Sequence, residues 1–190
     1  PGTSSSLCAS TGKLVRDMDE VTILPMQDGD LDQVTQIEKE IFPTPWTRRQ
    51  FQFEIRNHYC HYFVAKIGDV VIGYTGLVVV GSEGYITNLA VKEEHRRKGL
   101  GTRMILTILR KALEAGVDII SLEVRKSNLI AQELYRQFEF HQGGVRRRYY
   151  VDNREDALVM STGYITAGKL REIIEKNEKY LMERNLERQS

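Results

Sequence analysis

Between residues 95 and 102 the chain reads His95-Arg96-Arg97-Lys98-Gly99-Leu100-Gly101-Thr102: a run of cations, two glycines one residue apart, and the first residues of a helical apolar pattern. That combination suits anion binding. The first turn of a helix carries backbone N–H groups without intrahelical partners and the positive end of the macrodipole. Glycine lets the backbone approach an anion closely, and arginine grips phosphate bidentately where lysine acts as a point charge. Of two familiar nucleotide loops, spacing rules out one and leaves the other a weak match. A P-loop needs a lysine followed by Ser or Thr directly after its second glycine, whereas Gly101 is followed by Thr102 and Arg103. A dinucleotide fingerprint needs Gly or Ala three positions past Gly101, where Met104 stands. A basic turn punctuated by glycines remains the plain alternative.

The elements that must hold this loop follow from the hydrophobic pattern. The apolar run 85–91 enters it as a strand, and a helix over 100–114 leaves it, burying Leu100, Met104, Ile105, Ile108, Leu109, Ala112 and Leu113 and closing at Gly116. A strand at 119–124 returns beside 85–91, and a strand, helix, strand crossover makes that pair parallel. Upstream, a short strand at 21–26 precedes a helix whose stripe is Leu31, Val34, Ile37 and Ile41, stopped by Phe42-Pro43-Thr44-Pro45. Thr47 and Gln50 form a capping box for a second helix carrying Phe51 and Ile55, with Trp46 at the staple position. Segments 61–67 and 70–80, joined at Gly68-Asp69, read as a hairpin that continues into 85–91 as an antiparallel meander. Downstream, Ser127 or Asn128 caps a helix facing inward with Ile130, Leu134 and Phe138, followed by strands at 140–145 and 157–161. The connection 146–156 is too polar and long for a tight turn, which marks it as functional or mobile. From residue 166 a thin apolar face of Leu170, Ile173, Ile174 and Leu181 predicts a terminal helix docked on the domain or on a partner. The organisation expected is a flexible arm over 1–19, a domain over 20–162, and a C-terminal amphipathic helix and tail over 163–190.

A chain of 190 residues with 41% hydrophobic content is sized for one core and is not a disordered protein. A net charge of +1 leaves any basic function to local patches and argues against nucleic acid as the partner. No apolar run has the length of a membrane span, and no secretion signal opens the chain, so the expectation is a soluble, cytoplasmic protein without a membrane partner. Cys8 and Cys60 stand far apart without metal or redox spacing; both are expected to be reduced, and no metal site is expected.

With these elements in order, the chain resembles the GNAT superfamily of acetyl-CoA-dependent N-acetyltransferases, and within it the RimI-type protein N-terminal acetyltransferases. The resemblance is carried by Asn88-Leu89-Ala90-Val91, Arg97-Lys98-Gly99-Leu100-Gly101, Leu122-Glu123-Val124-Arg125-Lys126-Ser127-Asn128, Leu134-Tyr135-Arg136-Gln137-Phe138-Glu139-Phe140, and Arg147-Arg148-Tyr149-Tyr150 followed by Glu155-Asp156-Ala157-Leu158-Val159-Met160. It covers roughly residues 21–161. It implies an α/β (α+β) GNAT fold: a mixed, mostly antiparallel sheet of about seven strands, flanked by helices, with a splayed parallel pair between which the pantetheine arm of acetyl-CoA inserts. Phe42-Pro43-Thr44-Pro45-Trp46 departs from the single-proline bacterial pattern and is similar to archaeal and eukaryotic relatives.

The resemblance also implies roles. Backbone groups of Leu89, Ala90 and Val91 would bind the pantetheine and polarise the thioester carbonyl; Arg96, Arg97, Lys98, Gly99, Leu100, Gly101 and Thr102 would hold the pyrophosphate; Asn128 would bond the cofactor, an ordinary N-cap being the alternative. Glu123 matches the family's general base, acting directly or through a water, against the reading of a strand residue facing solvent or pairing with Arg125. Tyr135, seven residues and about two turns past Asn128, matches the general acid for the departing thiolate, against the reading of an aromatic core residue. Phe42, Pro43 and Trp46 on one side and Tyr149 and Tyr150 on the other would restrict access to an extended chain end. The acceptor implied is a protein or peptide N-terminus, a ribosomal protein among the candidates, and transfer is direct, since neither cysteine falls in a motif. Arg146, Arg147 and Arg148 read as a solvated strand end, or as an attractor of an acidic peptide or ribosomal RNA. Two rival functions carry different signatures: a small-molecule amine acetyltransferase, which would lack the tyrosine pair, and a ribosome or RNA-binding module built on the two basic clusters.

Overall fold

The computed structural model describes residues 21–189, with side chains described to residue 187, so the arm expected over residues 1–19 lies outside the described residues. The chain order is β1 (Val21–Pro25), α1 (Leu31–Ile41), α2 (Arg48–Ile55), β2 (Cys60–Ile67), β3 (Val70–Val80), β4 (Glu83–Val91), α3 (Leu100–Glu114), β5 (Ile119–Arg125), α4 (Leu129–Gln137), β6 (His141–Arg146), β7 (Ala157–Tyr164) and α5 (Ala167–Gln189). The strands form one sheet in the order β1-β2-β3-β4-β5-β7-β6. Every neighbouring pair is antiparallel except β4 with β5. This is the mixed, mostly antiparallel seven-stranded α/β architecture expected from the sequence.

Alternation along the strands sorts the core onto two faces. Tyr62, Val64, Tyr74 and Ala90 face α1 and α2, packing with Leu31, Val34, Ile37 and Phe51. Leu77, Ile86, Leu122, Val124, Leu158 and Met160 face the other way, against Ile105, Ile108 and Leu109 of α3 and Phe138 and Phe140 beyond α4. Helix α2 begins as its sequence predicts: the Thr47 side chain accepts from the Gln50 amide, Gln50 returns a bond to the Thr47 amide, and Trp46 stacks on Phe51 with ring centroids 5.4 Å apart. Helix α5 docks on the domain, with Leu170, Ile173 and Ile174 buried in the same cluster as α3, an Arg110–Glu178 ion pair, and Gln137 donating to Asn177 at 2.9 Å. Strand boundaries differ slightly from the sequence reading. Phe140 belongs to the turn before β6, where Glu139 takes a positive φ of 61°, and β7 runs on to Tyr164. None of the described helices is long and apolar enough to cross a membrane.

Candidate active site at the splayed strands

Strands β4 and β5 pair only at their beginnings, Glu83 to Tyr85 against Ile119 to Ser121. Beyond that point residues 86–91 pair with β3 and residues 122–125 with β7, and not with each other. The cause is local. The β3–β4 register steps from Leu77 opposite Ile86 to Gly76 opposite Asn88, leaving Thr87 as an extra residue. A bulge bends its strand and increases its twist, here away from β5. Gly76 makes room for it: a Cβ there would stand 2.4 Å from the Tyr62 ring and 2.5 Å from Thr87 Oγ1, while Tyr62 Oη and Thr87 Oγ1 hydrogen-bond at 3.0 Å.

The wedge is lined by backbone. Lys92 N donates to Ile72 O at 2.9 Å, and antiparallel pairing alternates, so Ala90 and Asn88 exchange their bonds with β3 while the amides of Leu89 and Val91 face the gap. The same argument from Lys126 N to Asp156 O, 3.1 Å, turns the backbone groups of Glu123 and Arg125 toward the gap from the other side. Of the three residues predicted to bind pantetheine through the backbone, Leu89 and Val91 therefore present their amides; Ala90 spends its own in the sheet and packs its methyl in the core.

At the mouth of the wedge α3 begins at Gly99, which takes a φ of +91° and caps the helix without a side chain. The first intrahelical bond is Arg103 N to Gly99 O, 3.1 Å, which leaves the amides of Leu100, Gly101 and Thr102 outside the helical ladder. Leu100 and Thr102 are buried by their side chains, so these residues offer backbone alone. Arg97 also adopts a left-handed φ of 63°, an uncommon conformation for a non-glycine residue. Arg96 and Arg97 are exposed and Lys98 half-buried; Arg96 Nε donates to Val91 O at 2.9 Å, tying the loop to the wedge.

Across the wedge, on the face shared with α1 and α2, stand Asn88 from β4 and Glu123 from β5. The Glu123 side chain is 4% exposed, and its Oε1 forms an ion pair with Arg146 at 2.9 Å. Glu123 Oε2 and Asn88 Oδ1 are buried polar atoms without a hydrogen-bond partner, an expensive arrangement unless a ligand or water completes it. Burial raises the Glu123 pKa above the ordinary carboxylate value, against the pull of Arg146. Glu123 is thus neither solvent-facing nor paired with Arg125. Tyr135 on α4 is buried, its ring 5.9 Å from Phe140, and burial lifts its phenol pKa well above normal, with Tyr150 adding to the effect. Asn128 caps α4, Oδ1 accepting from Ala131 N at 3.1 Å, so its carbonyl oxygen is committed to the cap.

Two segments flank this face. Trp46 N donates to Glu38 Oε1 at 3.0 Å, and Tyr74 Oη donates to Glu38 Oε2; Glu38 is 2% exposed, and burial pushes its pKa up to about 7. That carboxyl anchors Trp46; Phe42 is tied by its amide to the Glu38 backbone carbonyl and, like Trp46, packs partly buried against the core, while Pro43 is exposed. On the other side Arg125 ties down the β6–β7 connection: it pairs with Asp152 at 2.8 Å and Glu155 at 3.2 Å and stacks 3.8 Å over the Tyr150 ring. Glu155 also accepts from Ser127 N at 2.6 Å, a contact that holds its carboxyl down at about 2. Tyr149 and Tyr150 meet edge to face at 5.2 Å. Of the two readings of segment 146–156, functional or mobile, the described contacts favour an anchored one. The sequence reading gave no role to Glu38 or Asn88, weighed Arg125 only as the alternative partner of Glu123, and read Arg146 as a strand end or an attractor of acidic peptide or RNA, not as the partner of Glu123. Glu38 was readable as a carboxylate seven residues past Leu31, on the apolar stripe of α1; Arg146 was not, because its partner lies two strands away in the sheet.

The same architecture occurs in known proteins. Residues 31–140 match the sequence profile of the Acetyltransferase (GNAT) family. A putative ribosomal protein bS18-alanine N-acetyltransferase of Bacillus subtilis (strain 168) is 41% identical over 132 residues, 69% of this chain and 87% of that protein. The ribosomal protein bS18-alanine N-acetyltransferase of Escherichia coli (strain K12) is 30% identical over 142 residues, 74% of this chain and 95% of that protein. The crystal structure of the Escherichia coli ribosomal-protein-S18-alanine N-acetyltransferase superimposes with a TM-score of 0.70 at 28% identity, covering 77% of this chain and 95% of that one.

Proposed function

The chain belongs to the acetyltransferase (GNAT) family, and from that premise we propose that it transfers the acetyl group of acetyl-CoA to the N-terminal α-amine of a protein, with Glu123 as general base and Tyr135 as general acid. The observation that carries this reading is the wedge: two parallel strands parting beside a glycine-capped helix start, with unpaired amides on the edge and an unpaired carboxylate oxygen on the acceptor face. The relatives named above act on the alanine terminus of a ribosomal protein, and by that likeness the acceptor is a ribosomal protein with a small first residue, modified in the cytoplasm.

Acetyl-CoA supplies a thioester-activated acetyl group. The amides of Leu100, Gly101 and Thr102, with Arg97 and Lys98, suit its pyrophosphate; the amides of Leu89 and Val91 suit the pantetheine and the charge that develops on the carbonyl oxygen. An α-amine has a pKa of about 7.7–8.0, so near neutrality a single modest base suffices to free its lone pair. Glu123 Oε2 accepts that proton, directly or through one water. Tyr135 keeps its proton at neutral pH because burial disfavours the phenolate, and donates it to the departing thiolate. Trp46 and the Tyr149–Tyr150 pair narrow the approach, which admits a chain end and rejects the branched surround of a lysine within a folded segment.

The test is an acetylation array of peptides that vary in their first two residues, each with a free and a blocked N-terminus. Turnover confined to free termini, fastest with a small first residue, is the expected result. Equal turnover of blocked peptides through internal lysines, or faster turnover of a polyamine or aminoglycoside than of any peptide, overturns the acceptor class.

A further inference from the structure

The acceptor face holds one cation whose place the reaction as described does not use. Arg146 sits at the end of β6, opposite Ala157 of β7, which is itself opposite Arg125 of β5. Its side chain crosses the sheet diagonally to Glu123, passing a row in which β6 contributes only Gly144, opposite Val159. The guanidinium is 58% exposed while the carboxylate it meets is 4% exposed, so the pair joins a solvated charge to a buried one. Burial favours the protonated form of a carboxyl; a cation reaching in from water opposes that shift without being fully desolvated itself.

We infer that Arg146 is the positioning residue of the reaction: by binding Oε1 of Glu123 it fixes the carboxylate and leaves Oε2 as the one oxygen open toward the wedge. This rests on Glu123 being the base. The groups that face Glu123 leave no other candidate for the task among the described residues. Arg125, on its own strand, is spent on Asp152, Glu155 and the Tyr150 ring. Strand β4 presents the neutral Asn88, β7 presents Val159, and the β6–β7 connection presents Tyr150, which is held protonated by burial, up at about 12. Arg146 also lies over the Tyr149 ring, 5.5 Å from its centroid, so the residue that sets the base touches the segment that lines the acceptor's path.

The experiment measures the Glu123 carboxyl titration by carbon-13 NMR in the free enzyme, its resonance assigned by its loss in Glu123→Gln, and kcat against pH at saturating acetyl-CoA and peptide. In Arg146→Gln the Glu123 titration moves up by about one pH unit, kcat falls by up to about tenfold at pH values below that titration, and the deficit closes as the pH rises above it; Arg146→Lys restores most of both. An unmoved Glu123 titration in Arg146→Gln overturns the inference, as does a deficit equal at every pH or one seen only in the peptide KM, which would make Arg146 an acceptor contact. A moved titration with an unmoved kcat upholds the pairing and overturns the base reading instead, so the two failures are distinguishable.

Discussion

The two sides of the wedge are built from different materials. On the side of β4 and the start of α3, the groups proposed to meet the cofactor are chiefly backbone amides, freed by a bulge at Thr87 and a left-handed glycine at position 99, and clustered within about fifteen residues of sequence. On the acceptor side, across the face of the sheet, the groups are side chains brought together from four elements: Glu38 of α1, Tyr74 of β3, Glu123 and Arg125 of β5, and Arg146 of β6. A backbone site tolerates most side-chain changes and fails when a dihedral is forced; a side-chain site fails one residue at a time. That difference dictates which substitutions separate the two.

The largest separation is expected at the carboxylate itself. Glu123→Gln keeps the shape and removes the proposed base, so kcat is expected to fall by about 100- to 10,000-fold, the usual worth of general acid–base catalysis, while acetyl-CoA affinity by calorimetry stays within about twofold of the parent. Tyr135→Phe follows the same pattern with a smaller loss, because a thiolate is a tolerable leaving group without full protonation. Equal losses in turnover and affinity for either variant would place that residue in the cofactor site and erase the distinction.

The same contrast explains what the sequence disclosed. The loop of Arg97, Gly99 and Gly101, the capping box of Thr47 and Gln50 and the parallel crossover are local patterns, and local patterns survive in one dimension. The splay itself was accessible only through family likeness, since nothing in the run 85–91 announces that Thr87 is the surplus residue; that follows from Gly76 lying opposite and from the Tyr62 ring beneath it. The acceptor face was the least legible part. Arg125 and Glu123 are two residues apart on one face of β5 and invite a pairing, yet Arg125 goes to the β6–β7 connection and Glu123 to a strand two places away. Sheet order decides such partners, and sequence spacing does not contain it.

Glu38 gives the acceptor side a pH signature. Its carboxyl moves from an ordinary 4.5 to about 7 on folding, because burial disfavours the charge. A group whose folded pKa is the higher binds more protons in the native state between those values, so its stabilising contribution is complete below pH 4.5 and is lost as the pH rises through 7. The span corresponds to about 3 kcal/mol. Glu38→Gln retains an acceptor for Trp46 N and a partner for Tyr74 Oη, and it flattens the decline in unfolding free energy between pH 5 and 8. Urea titrations at several pH values check this, and an unchanged slope in the variant would remove Glu38 from the account.

The smallest expected effect falls on the cofactor side and comes from one methyl group. Gly99 holds a φ of +91°, where an L-residue is strained, and a Cβ there would stand 3.1 Å from Leu181 Cδ2 of α5. The conformational strain alone is about 1–2 kcal/mol, and relieving it by rotating the peptide would turn the amides of the α3 start away from the pyrophosphate. Gly99→Ala is therefore expected to weaken acetyl-CoA binding by about five- to thirtyfold, the factor that such strain represents, while leaving the peptide KM and the Glu123 titration unchanged. Pairing it with Leu181→Ala separates the two causes: if the clash with α5 contributes, the double variant recovers part of the affinity, and if dihedral strain acts alone, it recovers none. A Gly99→Ala protein that binds acetyl-CoA as tightly as the parent would mean that side chains, and not the backbone at the helix start, supply the grip on this side as well.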